Sequence, residues 1–212
     1  MAAMETTLLV AAACVAALAL GWFGWRLLQG RREARRRALQ DQLTGLMNDR
    51  AFAERAVDVM DETRDVSGEM VVVMYDIDGL GAISERFGRE FGDFVVRLFA
   101  DKAKAEIRGD DLLFRLGDDE FCSILPSTSE HDARAIAERI RAAFSEKKLR
   151  ARKKQNVRPT VSVGLASSAA IGFSIDRLKA GAEAALAEAK RAGRDRISVY
   201  EGDAANDHRS AA

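Results

Sequence analysis

The stretch Asp111-Leu-Leu-Phe-Arg-Leu-Gly-Asp-Asp-Glu-Phe-Cys-Ser-Ile-Leu125 holds the strongest turn signal in the chain. Asp111–Leu116 and Glu120–Leu125 are short apolar runs, and Gly117-Asp118-Asp119 between them reads as the tip of a β-hairpin. Upstream, Glu69–Asp78 is a Val/Met-rich run that reads as a buried strand and ends on Asp76-Ile77-Asp78. Taken singly, acids at a turn are ordinary turn formers. Two acidic strand ends side by side would instead gather hard carboxylate oxygens at one end of a sheet. That chemistry suits Mg²⁺ (or Mn²⁺), held by one or two carboxylates and completed by substrate phosphates, as in phosphoryl and nucleotidyl transfer.

Outward from this centre, helix and strand periods alternate. Residues 41–64 read as helix on the spacing of Leu43, Leu46, Phe52, Ala56 and Met60. Leu80–Phe87, Gly92–Ile107, His131–Phe144 and Ile175–Ala192 read as further helices, and Thr160–Ala166 and Arg196–Tyr200 as strands. Strands interleaved with helices predict an α+β sandwich, a central sheet covered by helices.

Composition narrows the function classes. With 48% hydrophobic residues and only 2 Pro among 212 residues, the chain is neither collagenous nor a disordered tail. Cys14 and Cys122 lie far apart, and His131 and His208 are the only histidines, which excludes a disulfide framework and a histidine-rich metal centre. The 33 basic and 33 acidic residues balance, but residues 1–37 hold six Arg against two Glu. Residues 38–212 therefore carry 27 basic and 31 acidic groups, a net of −4. A mildly acidic domain argues against a nucleic-acid partner.

Thr7–Trp25 is a nineteen-residue run without a charge, close to the ~20 residues that cross a bilayer core of about 30 Å. Trp22, Phe23 and Trp25 sit at its edge, where amphipathic rings favour the headgroup layer, and Arg26, Arg31, Arg32, Arg35, Arg36 and Arg37 follow. The positive-inside bias predicts a single-pass anchor with the C-terminal domain in the cytoplasm. A cleaved signal peptide would need a basic start, and Met1–Thr6 offers Glu5 instead. The predicted organisation is a tail and transmembrane helix over 1–25, an Arg-rich linker over 26–40, a domain over 41–201 and a flexible tail over 202–212.

The order of several motifs carries a family resemblance. Asp41-Gln-Leu-Thr-Gly-Leu46 with Asn48 and Phe52, then Asp76-Ile-Asp78, then Arg115-Leu-Gly-Asp-Asp-Glu-Phe121 resembles the GGDEF domain of diguanylate cyclases. Ala137-Glu-Arg-Ile-Arg141, Val161-Ser-Val-Gly164 and Ala189-Lys190 with Gly193-Arg194 follow in the same order. The resemblance implies a ferredoxin-like, nucleotidyl-cyclase-type core at a bacterial inner membrane. It also implies a homodimer in which two GTP-loaded domains meet, each 3′-hydroxyl attacking the other's α-phosphate to give cyclic di-GMP and two pyrophosphates. It implies Asp76, the carbonyl of Ile77 and Asp119 as Mg²⁺ ligands, and Asp119 and Glu120 as the catalytic acidic pair. Ser84, Asp93, Gly117, Lys190 and Arg194 fall at GTP-binding positions, and Arg108, Asp111 and Arg139 at the inhibitory RxxD site for cyclic di-GMP.

The chain departs from the family at several of these positions. Asp118 replaces the second glycine of the signature, Ser84 stands where the family has a guanine-binding Asn, and Gly81 replaces a lysine. Leu80 and Ala187 replace aromatic residues. Glycine at a nucleotide-facing turn permits positive φ and close approach, whereas aspartate adds bulk and charge where triphosphate lies. A like-charge contact near 4 Å is worth about 1–4 kcal/mol at effective dielectrics of about 80 to 20. The expected function is a membrane-anchored, catalytically impaired GGDEF protein binding cyclic di-GMP or GTP. An active diguanylate cyclase and a nucleotide-free dimerisation module are the alternatives.

Overall fold

The computed structural model describes residues 37–202 apart from Ser67, 147–148 and 151–155, together with residues 21–23, 25, 26, 29 and 35. It divides into two units, Met1–Leu39 and Gln40–Ala212. In the first, residues 21–23, 25 and 26 are helical, the Trp22, Phe23 and Trp25 rings are exposed, and the Arg26 guanidinium lies 5.4 Å from the Trp22 ring centroid. Most of the expected span Thr7–Trp25 lies outside the described residues, as does 203–212 of the expected tail. Among the described residues no helix is long and apolar enough to cross a membrane.

In the second unit a six-stranded sheet runs β1-β3-β4-β2-β7-β8. Its strands are β1 (Met47–Asn48), β2 (Val71–Ile77), β3 (Leu112–Arg115), β4 (Glu120–Leu125), β7 (Val161–Ser167) and β8 (Ile197–Val199). Pairing is antiparallel for β3–β4, β4–β2 and β2–β7, and parallel at both edges, β1–β3 and β7–β8. The helices are α1 (Asp49–Asp65), α2 (Leu80–Phe87), α3 (Arg89–Glu106), α4 (Glu130–Ser145), α5 (Ser168–Ile171) and α6 (Ile175–Arg191). The four middle strands and their connections thus follow the βαββαβ order of a ferredoxin-like core. A separate two-stranded hairpin, β5 (Leu149–Arg150) and β6 (Asn156–Val157), precedes β7.

Every residue of β2 is buried, because both faces of the sheet are covered; such strands read as continuous apolar runs rather than alternating ones. Val71, Val73, Tyr75 and Ile77 join a core with Val95 and Phe99 of α3 and Ile136, Ile140 and Phe144 of α4. Phe99 is its hub, with ring centroids 4.5 Å from Phe121 and 5.3 Å from Phe144. Burying each of these rings contributes about 2–3 kcal/mol. On the other face α6 lies against β7 and α1 against β3, where Phe52 meets Phe114 edge-on at 5.3 Å. Gly164 permits the α6 contact: a Cβ there would lie 2.1 Å from the Leu186 nitrogen and 2.2 Å from the Ala182 oxygen.

One expected element is corrected. Residues 41–48 are not helical, because Asp41 takes both Thr44 donors, the backbone N–H at 2.8 Å and the hydroxyl at 2.6 Å. Side-chain bonding of this kind offers the backbone a turn in place of a helix, and Gly45 completes it at φ +67°. Leu43 and Leu46 reach the core from this wide turn. The chain then forms β1, and α1 starts only at Asp49, where the Asn48 side chain accepts the Ala51 N–H at 3.0 Å.

Candidate functional site

Strand register brings the two acidic ends together. Asp76 pairs with Glu120 across β2–β4, and one residue further the Ile77 N–H donates to the Asp119 carbonyl at 3.1 Å. The hairpin closes through Leu116 and Gly117, whose N–H groups both donate to the Glu120 carbonyl, at 2.9 and 3.3 Å. A Cβ on Gly117 would lie 3.3 Å from a Glu120 carboxylate oxygen, so this glycine leaves room for an acid folded back over the tip. Gly117 and Asp118 both lack positive φ; among the described residues the non-glycines with positive φ are Ser127, Arg194 and Asp195. The second signature position therefore carries no backbone strain, and what Asp118 adds is an exposed carboxylate.

Asp76 is 6% exposed and faces a cation: Lys190 Nζ, from the end of α6, donates to Asp76 Oδ2 at 2.6 Å. Burial pushes the Asp76 carboxyl above its ordinary range, Lys190 opposes that, and the nearby Asp119 and Asp78 charges add to the rise. Asp78 turns away from this group. Its oxygens accept from Thr160 Oγ1 (2.8 Å), Ser162 Oγ (2.7 Å) and the Asp195 N–H (3.2 Å), which makes it a clamp between β2, β7 and the loop after α6. Arg194 from that loop reaches the same clamp, its Nε 4.0 Å from Asp78 Oδ1. Gly79, just past Asp78, is the N-cap of α2 and adopts φ +67°.

The donor set fits a hard divalent cation. Asp76 and Asp119 offer carboxylates and Ile77 a carbonyl, whereas among the described residues no group of three or more His, Cys, Asp or Glu gathers around one point. An ion held here is thus completed by phosphate or water oxygens, as Mg²⁺ characteristically is.

The two expected base-contacting residues are also neighbours. A Cβ on Gly92 would fall 2.1 Å from Ser84 Oγ, so Ser84 of α2 packs directly on the residue before Asp93 of α3. The expected RxxD pair forms a tight turn, in which Asp111 Oδ2 accepts the Arg108 N–H at 2.7 Å and the Asp111 N–H donates to the Arg108 carbonyl at 3.2 Å. Burial raises the Asp111 carboxyl, against the Arg108 bond and charge. A cavity of about 490 Å³ opens over this turn, walled by Arg55 and Glu62 of α1 and by Pro126 and Ser127. Arg139 does not line it. Its Nε donates to Glu106 at 2.8 Å, two residues before Arg108, while Arg55 occupies the cavity wall.

Sequence reasoning missed the support beneath the signature. Arg115 Nη1 donates to both Asp41 oxygens, at 3.1 and 3.0 Å, and Nη2 to the Asp118 carbonyl at 2.8 Å. Burial opposes ionisation of Asp41, but the Thr44 bonds and Arg115 outweigh it and hold the carboxyl below its ordinary value. The signal was present in the sequence as Asp41 and Arg115 within the quoted motifs, but nothing there marked them as partners 74 residues apart.

The comparisons with known proteins bear on the family of the chain. The family model for the diguanylate cyclase GGDEF domain matches residues 38–196. The chain is 33% identical over 167 residues to diguanylate cyclase DgcP of Pseudomonas aeruginosa, a match covering 79% of this chain and 25% of that protein. It is 34% identical over 162 residues to the response regulator PleD of Caulobacter vibrioides, covering 76% of this chain and 36% of that one. The aligned region thus spans about a quarter to a third of these two relatives. Among solved structures, the coiled coil and GGDEF domain of DgcB from Caulobacter crescentus, in complex with c-di-GMP, is similar at TM-score 0.78 and 28% identity. That match covers 82% of this chain and 92% of the other. Diguanylate cyclase SiaD of Pseudomonas aeruginosa, solved with its activator SiaC, matches at TM-score 0.72 and 29% identity, over 85% and 70% of the two chains. With its acidic strand ends, its RxxD turn and these likenesses, the chain belongs to the GGDEF-domain family of diguanylate cyclases.

Proposed function

We propose that this chain is a membrane-tethered GGDEF protein of cyclic di-GMP signalling that binds cyclic di-GMP at Arg108–Asp111, takes up GTP weakly and turns it over slowly or not at all. The observation that carries the reading is the contrast between its two sites. The RxxD turn is intact beneath a cavity of about 490 Å³, whereas the signature tip exposes the extra carboxylate of Asp118. An Arg fork suits phosphate and guanine edges through charge-assisted bonds. A negative group at the tip repels a triphosphate.

Each residue at the acidic end has a role in this reading. Asp93 accepts from the guanine N1–H and N2–H, and Ser84 supplies a single hydroxyl in place of an amide. Lys190 and Arg194 hold phosphate oxygens, and Asp76, Asp119 and the Ile77 carbonyl hold Mg²⁺ or Mn²⁺. The bound cation supplies charge neutralisation on the phosphates. An active diguanylate cyclase is the second reading, favoured by the contiguity of Asp76, Asp119 and Glu120. There, Asp119 or Glu120 takes the proton of a 3′-hydroxyl, whose oxygen bonds to the α-phosphorus of GTP on a second copy. The α–β anhydride breaks and pyrophosphate leaves.

Incubating the purified chain with Mg²⁺ and GTP while following cyclic di-GMP and pyrophosphate separates the readings. Little product together with calorimetric binding of cyclic di-GMP supports the proposal, and ordinary turnover selects the cyclase. The anchor is tested by a C-terminal reporter, which is expected to be active inside the cell only; activity outside, or release of a shortened soluble form, overturns the topology.

A further inference from the structure

The turn that presents Arg194 is strained, and the residue that holds it lies on another helix. Gly193, Arg194 and Asp195 have φ of 114°, 64° and 45°, so two consecutive non-glycine residues occupy left-handed backbone. Such residues persist only where their surroundings over-determine them. Two groups hold Asp195: its N–H donates to Asp78 Oδ2 at 3.2 Å, and Arg141 of α4 donates to its carbonyl and carboxylate. Arg141 Nη1 donates to Asp195 Oδ1 at 2.5 Å and to the Asp195 carbonyl at 3.3 Å. The rest of the guanidinium is locked by Glu138, one turn earlier, which accepts from Nη2 at 2.6 Å and from Nε at 3.0 Å. Four of the five guanidinium N–H donors of Arg141 are thus committed to Asp195 and Glu138.

We infer that Arg141 is a positioning residue for phosphate binding, acting through Asp195 to keep the strained turn closed and Arg194 at the edge of the acidic site. The inference rests on the proposed nucleotide site at Asp76, Lys190 and Arg194. Helix α4 lies against β7 and against β8, the strand that follows this loop, so it is a rigid base for the clasp. A side chain that orients another group acts by narrowing its range of positions, and sites lose function when such support is loosened. Removing Arg141 frees the Asp195 carbonyl and carboxylate together, and lets residues 194–195 relax out of left-handed backbone. Arg194, whose own side chain is exposed, then loses its fixed origin.

The test uses the full chain. Mg²⁺·GTP affinity is measured by calorimetry for wild type, Arg141→Ala, Arg194→Ala and the double variant, and hydrogen exchange by mass spectrometry over the Gly193–Arg196 segment. Arg141→Ala is expected to speed exchange in that segment while β2 and α3 stay protected, and to weaken Mg²⁺·GTP about tenfold. Because the effect passes through Arg194, the double variant is expected to bind no more weakly than Arg194→Ala alone. Asp195→Asn, which keeps an oxygen acceptor for Arg141, is expected to retain most of the affinity that Asp195→Ala loses. Losses that multiply in the double variant, or exchange unchanged by Arg141→Ala, overturn the positioning role while leaving the nucleotide site standing. Failure of the wild-type chain to bind Mg²⁺·GTP, with exchange still accelerated in Arg141→Ala, overturns the nucleotide-site reading and reduces Arg141 to a structural tie.

Discussion

Removing Asp41 or Arg115 is expected to destabilise the domain and loosen the signature hairpin, although neither residue belongs to the metal-ligand set. Arg115 is the pin: two of its bonds go to Asp41 and one to the Asp118 carbonyl, with side-chain exposures of 12% for Arg115 and 21% for Asp41. The pair therefore lies between two limits. Exposed ion pairs contribute about 0–1 kcal/mol, whereas breaking a buried pair by removing one partner costs about 3–5 kcal/mol. Asp41→Ala also releases the Thr44 N–H and hydroxyl, which opens the wide turn. We expect a loss of about 2–3 kcal/mol for either single variant, which lowers Tm by roughly 5–10 °C for a domain of this size. Thermal unfolding followed by circular dichroism provides the assay, with the Asp41→Ala/Arg115→Ala double variant completing a cycle. The double variant is expected to fall short of the summed single losses by about 1–2 kcal/mol, the energy the two share. Acid adds a second readout. The Asp41 carboxyl is held below its ordinary value of 3.8, so its contribution is complete above that value and fades as pH falls through the lowered one. The gap between wild type and Asp41→Asn is thus expected to close on acidification. Strict additivity of the two losses, or a Tm change under about 1 °C, would falsify the pinning argument.

Three further outcomes test the sites and the packing. Asp118→Gly is expected to raise GTP affinity or turnover several-fold or more by removing a like charge, with little change in Tm because residue 118 has no positive φ to relieve; unchanged GTP behaviour would make the substitution harmless. Arg108→Ala is expected to weaken cyclic di-GMP binding about 10- to 150-fold, the value of one charge-assisted bond of roughly 1.5–3 kcal/mol. Calorimetry checks this against a folded control, and unchanged affinity would move the site away from the RxxD turn. Gly164→Ala is expected to cost more than about 3 kcal/mol or abolish soluble expression, since its Cβ meets the α6 backbone at 2.1 and 2.2 Å; a wild-type Tm would refute the packing of α6 on β7.

Much of the fold was legible because local periodicity reports burial. The Val/Met run of β2, the hairpin around Gly117–Asp119 and the apolar faces of α2, α3, α4 and α6 all formed within a few residues of their sequence limits. The wide turn at 41–48 was not legible, because Leu43 and Leu46 keep a helical spacing while the Asp41 side chain captures Thr44 and diverts the backbone. The short β1, β5, β6 and α5 elements were missed for a related reason, since two to four residues are too few to show a period.

The sequence by itself determined which acids, cations and glycines are available, and in what order, which suffices for the family and for the two candidate sites. Tertiary structure alone decided which of them meet. Asp76 and Asp119 become neighbours only through the β2–β4 register, and Lys190 reaches Asp76 across 114 residues of chain. Arg139 pairs with Glu106 instead of lining the RxxD cavity, and among the described residues left-handed non-glycine backbone falls at Ser127, Arg194 and Asp195, away from the signature tip. The physical reason is one of range. Helix and strand follow from side-chain burial every two to four residues, whereas an ion pair or a strained turn depends on register and packing between elements that the sequence holds far apart.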